Sequence, residues 1–257
     1  MCRIFLFLIL SFISISFVFG DSNCFIAKEG NIILKQEGEC NKRYSPCSTF
    51  KIPLSLIGYN EKILIDLDHP KWTDKSGSAS IRCEGSQTPA TWIQKSCIWY
   101  SRVITHKLGM KKFKQYIDKF NYGNRNVSGD RGKRDGLISA WLSSSLKISP
   151  IEQANFIEKL INYKFPVSKT AHNNTMSILY VGDLQDGWKL FAKTGSGSLS
   201  DKGNKKVGWF VGYIKKGKRK IAFVQFLEGE IKGPGGFRAR DIAKEKLASL
   251  VVKLPWK

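Results

Sequence analysis

The sequence predicts an α+β fold: an antiparallel sheet built from both chain ends, flanked by helices, with a helical lobe inserted between them. Three observations predict it. Short β-prone runs form a hairpin over residues 24–36, three further strands follow one another over 188–228, and amphipathic helical patterns fill the middle and close the chain. No internal repeat or flexible linker separates independent units, and 257 residues suffice for one sizeable core.

The elements follow in order. Met1-Cys2-Arg3 is a short basic start, Ile4 to Phe19 an apolar run broken by serines, and Gly20 a small residue after it. This pattern predicts a secretory signal peptide over residues 1–20, cleaved near Gly20-Asp21, with 21–257 as a single folded domain. The run is short for a membrane span of about 20 residues, so no stable membrane insertion and a periplasmic or secreted location are expected. Cys24 to Lys28 and Ile32 to Gln36 are β-prone, and Glu29-Gly30-Asn31 turns between them.

A polar loop leads to Ser48-Thr49-Phe50-Lys51, after which Ile52, Leu54, Leu56 and Ile57 fit a buried helix. Pro53 is tolerated only in a first turn, which places Ser48 at or just before the helix N-terminus. Residues 66–87 are polar and read as loop. Thr88-Pro89 starts a helix that continues through Trp92, Ile93 and Ser96-Cys97-Ile98-Trp99-Tyr100. Met110 to Phe120 is amphipathic, Asn121-Tyr122-Gly123-Asn124 is a turn by composition, and 124–136 is loop. Ser149-Pro150-Ile151-Glu152 carries a capping box and opens a helix to about Tyr163. Trp188 to Lys193, Lys206 to Ile214 and Lys220 to Glu228 read as strands, connected through residues 201–204 and 215–218; a helix from about Phe237 to Val252 ends the pattern.

The composition, 42% hydrophobic and 25% charged, is that of a globular protein. A formal charge of +21 would attract nucleic acid, anionic lipid or an acidic cell wall. The lysines are scattered, however, and the short clusters at Lys111-Lys112, Lys205-Lys206 and Lys215 to Lys220 flank strands or lie on a helix face. They read as solvated surface, and no nucleic-acid partner is expected. Beyond Cys2 the chain holds Cys24, Cys40, Cys47, Cys83 and Cys97, an odd number that leaves at least one thiol unpaired. Cys24 and Cys40 flank the hairpin and can pair; Cys47 and Cys97 sit inside apolar motifs and read as small buried hydrophobes. With no C-x-x-C pair and with His69, His106 and His172 scattered, no metal site is expected.

The chemistry concentrates at Ser48 and Lys51. Three residues apart, they share one face at the start of a helix, where free backbone N–H groups can stabilise an oxyanion. A serine hydroxyl needs a base beside it, and an amine in an apolar pocket loses its charge to desolvation. An N-cap serine with a solvated lysine one turn on would give the same spacing.

More of the chain repeats a known order. Ser48-Thr49-Phe50-Lys51, Ser96-Cys97-Ile98, Tyr122-Gly123-Asn124, Trp141 with Ser145-Leu146-Lys147-Ile148-Ser149, and Lys193-Thr194-Gly195 together resemble the class D (oxacillinase-type) serine β-lactamases. The resemblance covers nearly the whole chain after residue 20 and implies a fold like that of the DD-peptidases and β-lactamases. It implies that Ser48 is acylated by a β-lactam, that Lys51 is N-carboxylated and acts as general base, and that Ser96 passes a proton to the leaving nitrogen. Lys193, as a further catalytic residue, and Thr194 would face the substrate carboxylate and the Ser96 hydroxyl, Gly195 would bind the substrate, and the Ser196 N–H would complete the oxyanion hole with that of Ser48. Ile98 stands where the family usually has valine. Trp141 would steady the carboxylated lysine, an indole N–H being a suitable donor to a buried anion. Arg240, or alternatively Arg238, would bind the substrate carboxylate, and Asn124 or Tyr122 would be structural or touch the pocket. The implied cofactor is none beyond carbon dioxide or bicarbonate, the partner a small β-lactam, and the assembly a monomer or homodimer. A sensor that acylates without hydrolysing, and a non-catalytic binder of anionic surfaces, are the competing functions.

Overall fold

Apolar runs separated by turn residues set the architecture. The computed structural model describes residues 23–75, 77, 79–199 and 204–254; the expected signal segment and residues 201–203 of one connector lie outside the described residues. Six strands form one antiparallel sheet: β1 (Asn23–Glu29), β2 (Ile32–Gly38), β5 (Tyr180–Asp183), β6 (Lys189–Ser198), β7 (Lys206–Lys216) and β8 (Arg219–Gly229), in the spatial order β2-β1-β8-β7-β6-β5. The first strand therefore lies beside the last, and the sheet joins both ends of the chain as expected. Two short strands, β3 (Trp72–Thr73) and β4 (Ser86–Gln87), pair within the loop over 66–87.

The sheet is buried on both faces, so its central strands are almost continuously apolar. On β7, Val207, Trp209, Val211 and Tyr213 face the larger core, while Phe210 and Ile214 face a smaller one. Helix α7 (Gly235–Val252) covers the smaller core with Ala239, Ala243, Leu247 and Leu250. The larger core lies between the sheet and the inserted lobe, which comprises α1 (Lys51–Asn60), α2 (Pro89–Lys95), α3 (Ile98–Lys119), α4 (Gly136–Ser139), α5 (Pro150–Ile161) and α6 (Lys169–Ile178).

Two helix starts fall where capping chemistry predicts them. Thr88 and Ser149 each close a capping box with proline at the next position. One expected helix is divided: it does not run through residues 96–100. Ser96 adopts a left-handed conformation (φ 65°) and ends α2, Cys97 is extended, and α3 begins at Ile98. A second break, at Gly109 (φ 73°), separates the two turns of pattern within α3. Strand β5 and helix α6 were not expected from the sequence.

The cysteines also depart from expectation at one position. Cys24 pairs with Cys40 across the hairpin as anticipated, and Cys47 is a buried free thiol. Cys97 is not a simple buried hydrophobe: it forms a disulfide with Cys83 and so ties the loop over 66–87 to the start of α3.

Candidate active site

Ser48 lies in a 3-10 turn (Cys47–Phe50) that runs directly into α1, and this places Lys51 at the first position of the helix. The turn is fixed from several sides. Thr49 N–H and Oγ donate to Pro46 O at 3.1 and 2.6 Å, and Gln153 on α5 donates to Thr49 Oγ1 at 2.8 Å. Ser45 donates through Oγ to Trp141 O at 2.7 Å, and the Trp209 indole donates to Ser45 O at 2.9 Å. Cys47, the residue before the serine, has φ 50°, a left-handed conformation that costs a non-glycine residue about 1–3 kcal/mol and persists only where the surroundings impose it.

Lys51 Nζ donates to Ser48 Oγ at 3.4 Å. Its side chain is buried (1% exposed), and no carboxylate pairs with it among the described residues. Burial pushes its pKa well below that of an ordinary amine; the charge of Lys193 adds to this and Cys47 opposes it. The solvated lysine of an ordinary capped helix is therefore not what the chain builds. Trp141 is fully buried and stacks on Phe50, the residue before Lys51, with ring centroids 5.3 Å apart. Its indole Nε1–H has no hydrogen-bond partner among the described residues. An orphaned buried donor carries a desolvation cost of about 1–3 kcal/mol, and native chains keep few of them.

Strand β6 brings the Lys193-Thr194-Gly195 motif beneath the same turn. Its first residues pair with β5, but from Lys193 onward that side is free of β5 and faces residues 46–49. Close approach explains the glycines there. A Cβ on Gly195 would lie 3.0 Å from Pro46 O, and one on Gly197 would lie 2.5 Å from Cys47 Sγ. Lys193 is buried, and its Nζ donates to Thr194 O at 2.9 Å and Thr194 Oγ1 at 3.3 Å. Burial, with a smaller contribution from the charge of Arg82, pushes its pKa down to about 7. Ser196 Oγ accepts from Gly236 N–H at 2.8 Å, which ties the strand to the start of α7.

A cavity of about 330 Å³ collects Ser48, Ser96, Ile98, Thr194 and Ser196. Thr194 and Phe237 are shared with a second cavity of about 240 Å³ that contains Lys193 and Arg240. Arg240 thus sits beyond Thr194 rather than on the Ser48 cavity; its Nε donates to Asp241 at 2.8 Å and its guanidinium lies over Phe237. Arg238 is exposed and lines neither cavity. Tyr122 and Asn124 also line neither. Asn124 Nδ2 donates to Ser145 O at 2.8 Å and its Oδ1 accepts from Lys147 N–H at 3.0 Å, so the motif clamps the segment after Trp141.

The sequence reading missed Arg82 and Lys95, both on the Ser48 cavity. The available signal was Cys83: pairing with the cysteine inside Ser96-Cys97-Ile98 necessarily brings residue 82 beside Ser96.

Chemically, the arrangement offers a hydroxyl beside a buried amine whose pKa burial pushes down, a second hydroxyl (Ser96) in the same cavity, and cations beyond it. Comparisons with known proteins find relatives over most of the chain. The family model for the penicillin binding protein transpeptidase domain matches residues 27–248. β-Lactamase OXA-9 of Klebsiella pneumoniae is 38% identical over 232 residues, covering 86% of this chain and 82% of that protein. β-Lactamase OXA-1 of Escherichia coli is 39% identical over 217 residues, 82% of this chain and 78% of that one. The crystal structure of the class D β-lactamase OXA-427 superposes with a TM-score of 0.85 at 40% identity, covering 91% of this chain and all of that one.

Proposed function

The chain belongs to the class D β-lactamases, within the penicillin-binding transpeptidase family, and we propose that it hydrolyses β-lactams by acyl transfer through Ser48. The observation that carries this is the buried, carboxylate-free Lys51 with its Nζ 3.4 Å from Ser48 Oγ. Ser48 Oγ attacks the lactam carbonyl as its proton is drawn off. The oxyanion is met by the backbone N–H groups of Ser48 and Ser196. The C–N bond breaks, Ser96 passes a proton to the nitrogen, and an ester to Ser48 remains. Water then attacks that ester, releasing the ring-opened acid and returning the proton to Ser48. Lys193, Thr194 and Arg240 hold the ring carboxylate, and Ile98 bounds the cavity on its apolar side.

Two features support N-carboxylation of Lys51 by carbon dioxide. An amine adds carbon dioxide only when neutral, and burial pushes the Lys51 pKa well below that of an ordinary amine, which favours that form. The unpartnered Trp141 indole N–H supplies a buried donor suited to an anion there. When bound, the carboxylate supplies the general base for both acylation and deacylation. Two disulfides among the described residues suit an oxidising compartment and support export to the periplasm or medium.

The test is hydrolysis of a chromogenic cephalosporin in bicarbonate buffer, with Ser48→Ala as control. Turnover that vanishes in the variant upholds the reading. A penicillin adduct on Ser48 that persists for hours by mass spectrometry, without turnover, would assign an acylating sensor instead.

A further inference from the structure

The Ser48 cavity carries more positive charge than a substrate with one carboxylate can use. Lys193 and Arg240, beyond Thr194, account for the carboxylate on the lactam's fused ring. Arg82 and Lys95 line the Ser48 cavity itself, together with Ser80, Ser96 and Trp99, and among the described residues no Asp or Glu lines either cavity. Neither of these two side chains has a hydrogen-bond or carboxylate partner among the described residues, although ten other ion pairs are formed elsewhere. Arg82 is also held in place. The 3-10 turn Ile81–Cys83 is closed by Cys83 N–H donating to Ser80 O at 2.7 Å, the Trp99 indole donates to Cys83 O at 3.1 Å, and the disulfide joins Cys83 to Cys97 beside Ser96. The guanidinium is near enough for its charge to be felt at Lys193.

We propose that Arg82, assisted by Lys95, forms a second anion subsite that favours β-lactams bearing an additional carboxylate or sulfonate on a substituent. The inference rests on the hydrolase reading above. A guanidinium takes a carboxylate through two parallel hydrogen bonds, which a lysine at the same place cannot reproduce. The tether keeps the backbone under Arg82 ordered before substrate arrives, so less entropy is lost on binding.

Benzylpenicillin and carbenicillin test it, since they differ by one carboxylate on the acyl side chain. The quantity read is the ratio of kcat/KM for carbenicillin to that for benzylpenicillin, in the wild type, Arg82→Gln and Arg82→Lys. The proposal predicts that Arg82→Gln lowers this ratio about fivefold, chiefly through KM, as suits a charge pair with partial solvent access. Arg82→Lys should restore part of the loss, and added salt should lower the wild-type ratio. A ratio that stays the same in Arg82→Gln, whether both substrates slow together or neither does, overturns the subsite. A wild-type protein that turns over neither penicillin overturns the hydrolase reading instead.

Discussion

Replacing Trp141 by phenylalanine removes a buried donor that lacks a partner among the described residues. The phenyl ring keeps the stack on Phe50 and the edge contact with Phe113, and removes the indole N–H. In buffer stripped of carbon dioxide, two effects on stability oppose each other. The smaller ring loses packing, within the about 0.5–3 kcal/mol typical of core substitutions. An orphaned donor is also removed, which returns about 1–3 kcal/mol of desolvation cost. Stability without carbon dioxide should therefore stay close to that of the wild type. With bicarbonate the balance changes. If the N–H bonds a carboxylate on Lys51, its loss removes a charge-assisted hydrogen bond worth about 1.5–3 kcal/mol, or roughly 10- to 150-fold in affinity for carbon dioxide. Initial rates on a chromogenic cephalosporin, titrated with bicarbonate, read this directly: the variant should half-saturate at tenfold higher bicarbonate or more. The wild-type Tm should rise with bicarbonate and the variant's should rise less, because a ligand stabilises by what it binds. Superimposable bicarbonate curves for a folded variant would refute the assignment of Trp141.

Three further outcomes are expected. The Cys83→Ala/Cys97→Ala variant loses a cross-link spanning 14 residues, worth about 3 kcal/mol in urea unfolding. Its kcat should fall as well, because the left-handed Ser96 loses its neighbour's tether; an unchanged kcat would show that Ser96 is held without it. Stability should rise with pH above about 7. There native Lys193 has released the proton that the unfolded lysine keeps to its ordinary value of 10.5, and one such proton is worth up to ~1.4 kcal/mol per pH unit. Lys51 acts in the same direction, so Lys193→Met should reduce this slope without abolishing it and raise stability at pH 7; urea unfolding at pH 7 and pH 9 without carbon dioxide measures both. Gly197→Ala should cost about 1–3 kcal/mol by overpacking, and adding Cys47→Ala, which removes the sulfur 2.5 Å from the new methyl position, should recover part of it.

The sequence made the dyad and the sheet legible because both rest on short-range rules. Ser48 and Lys51 are fixed by helix spacing, and β1, β7 and β8 by apolar runs and turn residues. Residue spacing alone could not tell a buried Lys51 from a solvated one. Lys51 is buried together with Phe50 and Trp141, which stack on one another from distant parts of the sequence, and only the fold brings those two together. The helix break at Ser96 was hidden for a related reason. Residues 89–100 carry an unbroken helical pattern, and the left-handed turn is imposed by Cys97, which donates its N–H to Trp92 O at 3.1 Å and bonds to Cys83. Helix α6, Lys-Thr-Ala-His-Asn-Asn-Thr-Met-Ser-Ile, is too polar to announce itself and is held by the Ser168 cap and the burial of Ala171, His172 and Ile178. Arg240 was legible as a cation near the site. Its separation from Ser48 by Thr194, and the presence of Arg82 on the Ser48 cavity, depend on how α7 and a disulfide-tied loop meet β6.

We propose that Lys51, shielded from water and with its pKa pushed down by burial, takes up carbon dioxide next to Ser48. Carbon-13 NMR of the protein in ¹³C-bicarbonate addresses it without recourse to turnover. A carbamate resonance should be present in the wild type and in Ser48→Ala, and absent in Lys51→Ala. A spectrum with no such resonance at bicarbonate concentrations that support full hydrolysis would contradict it.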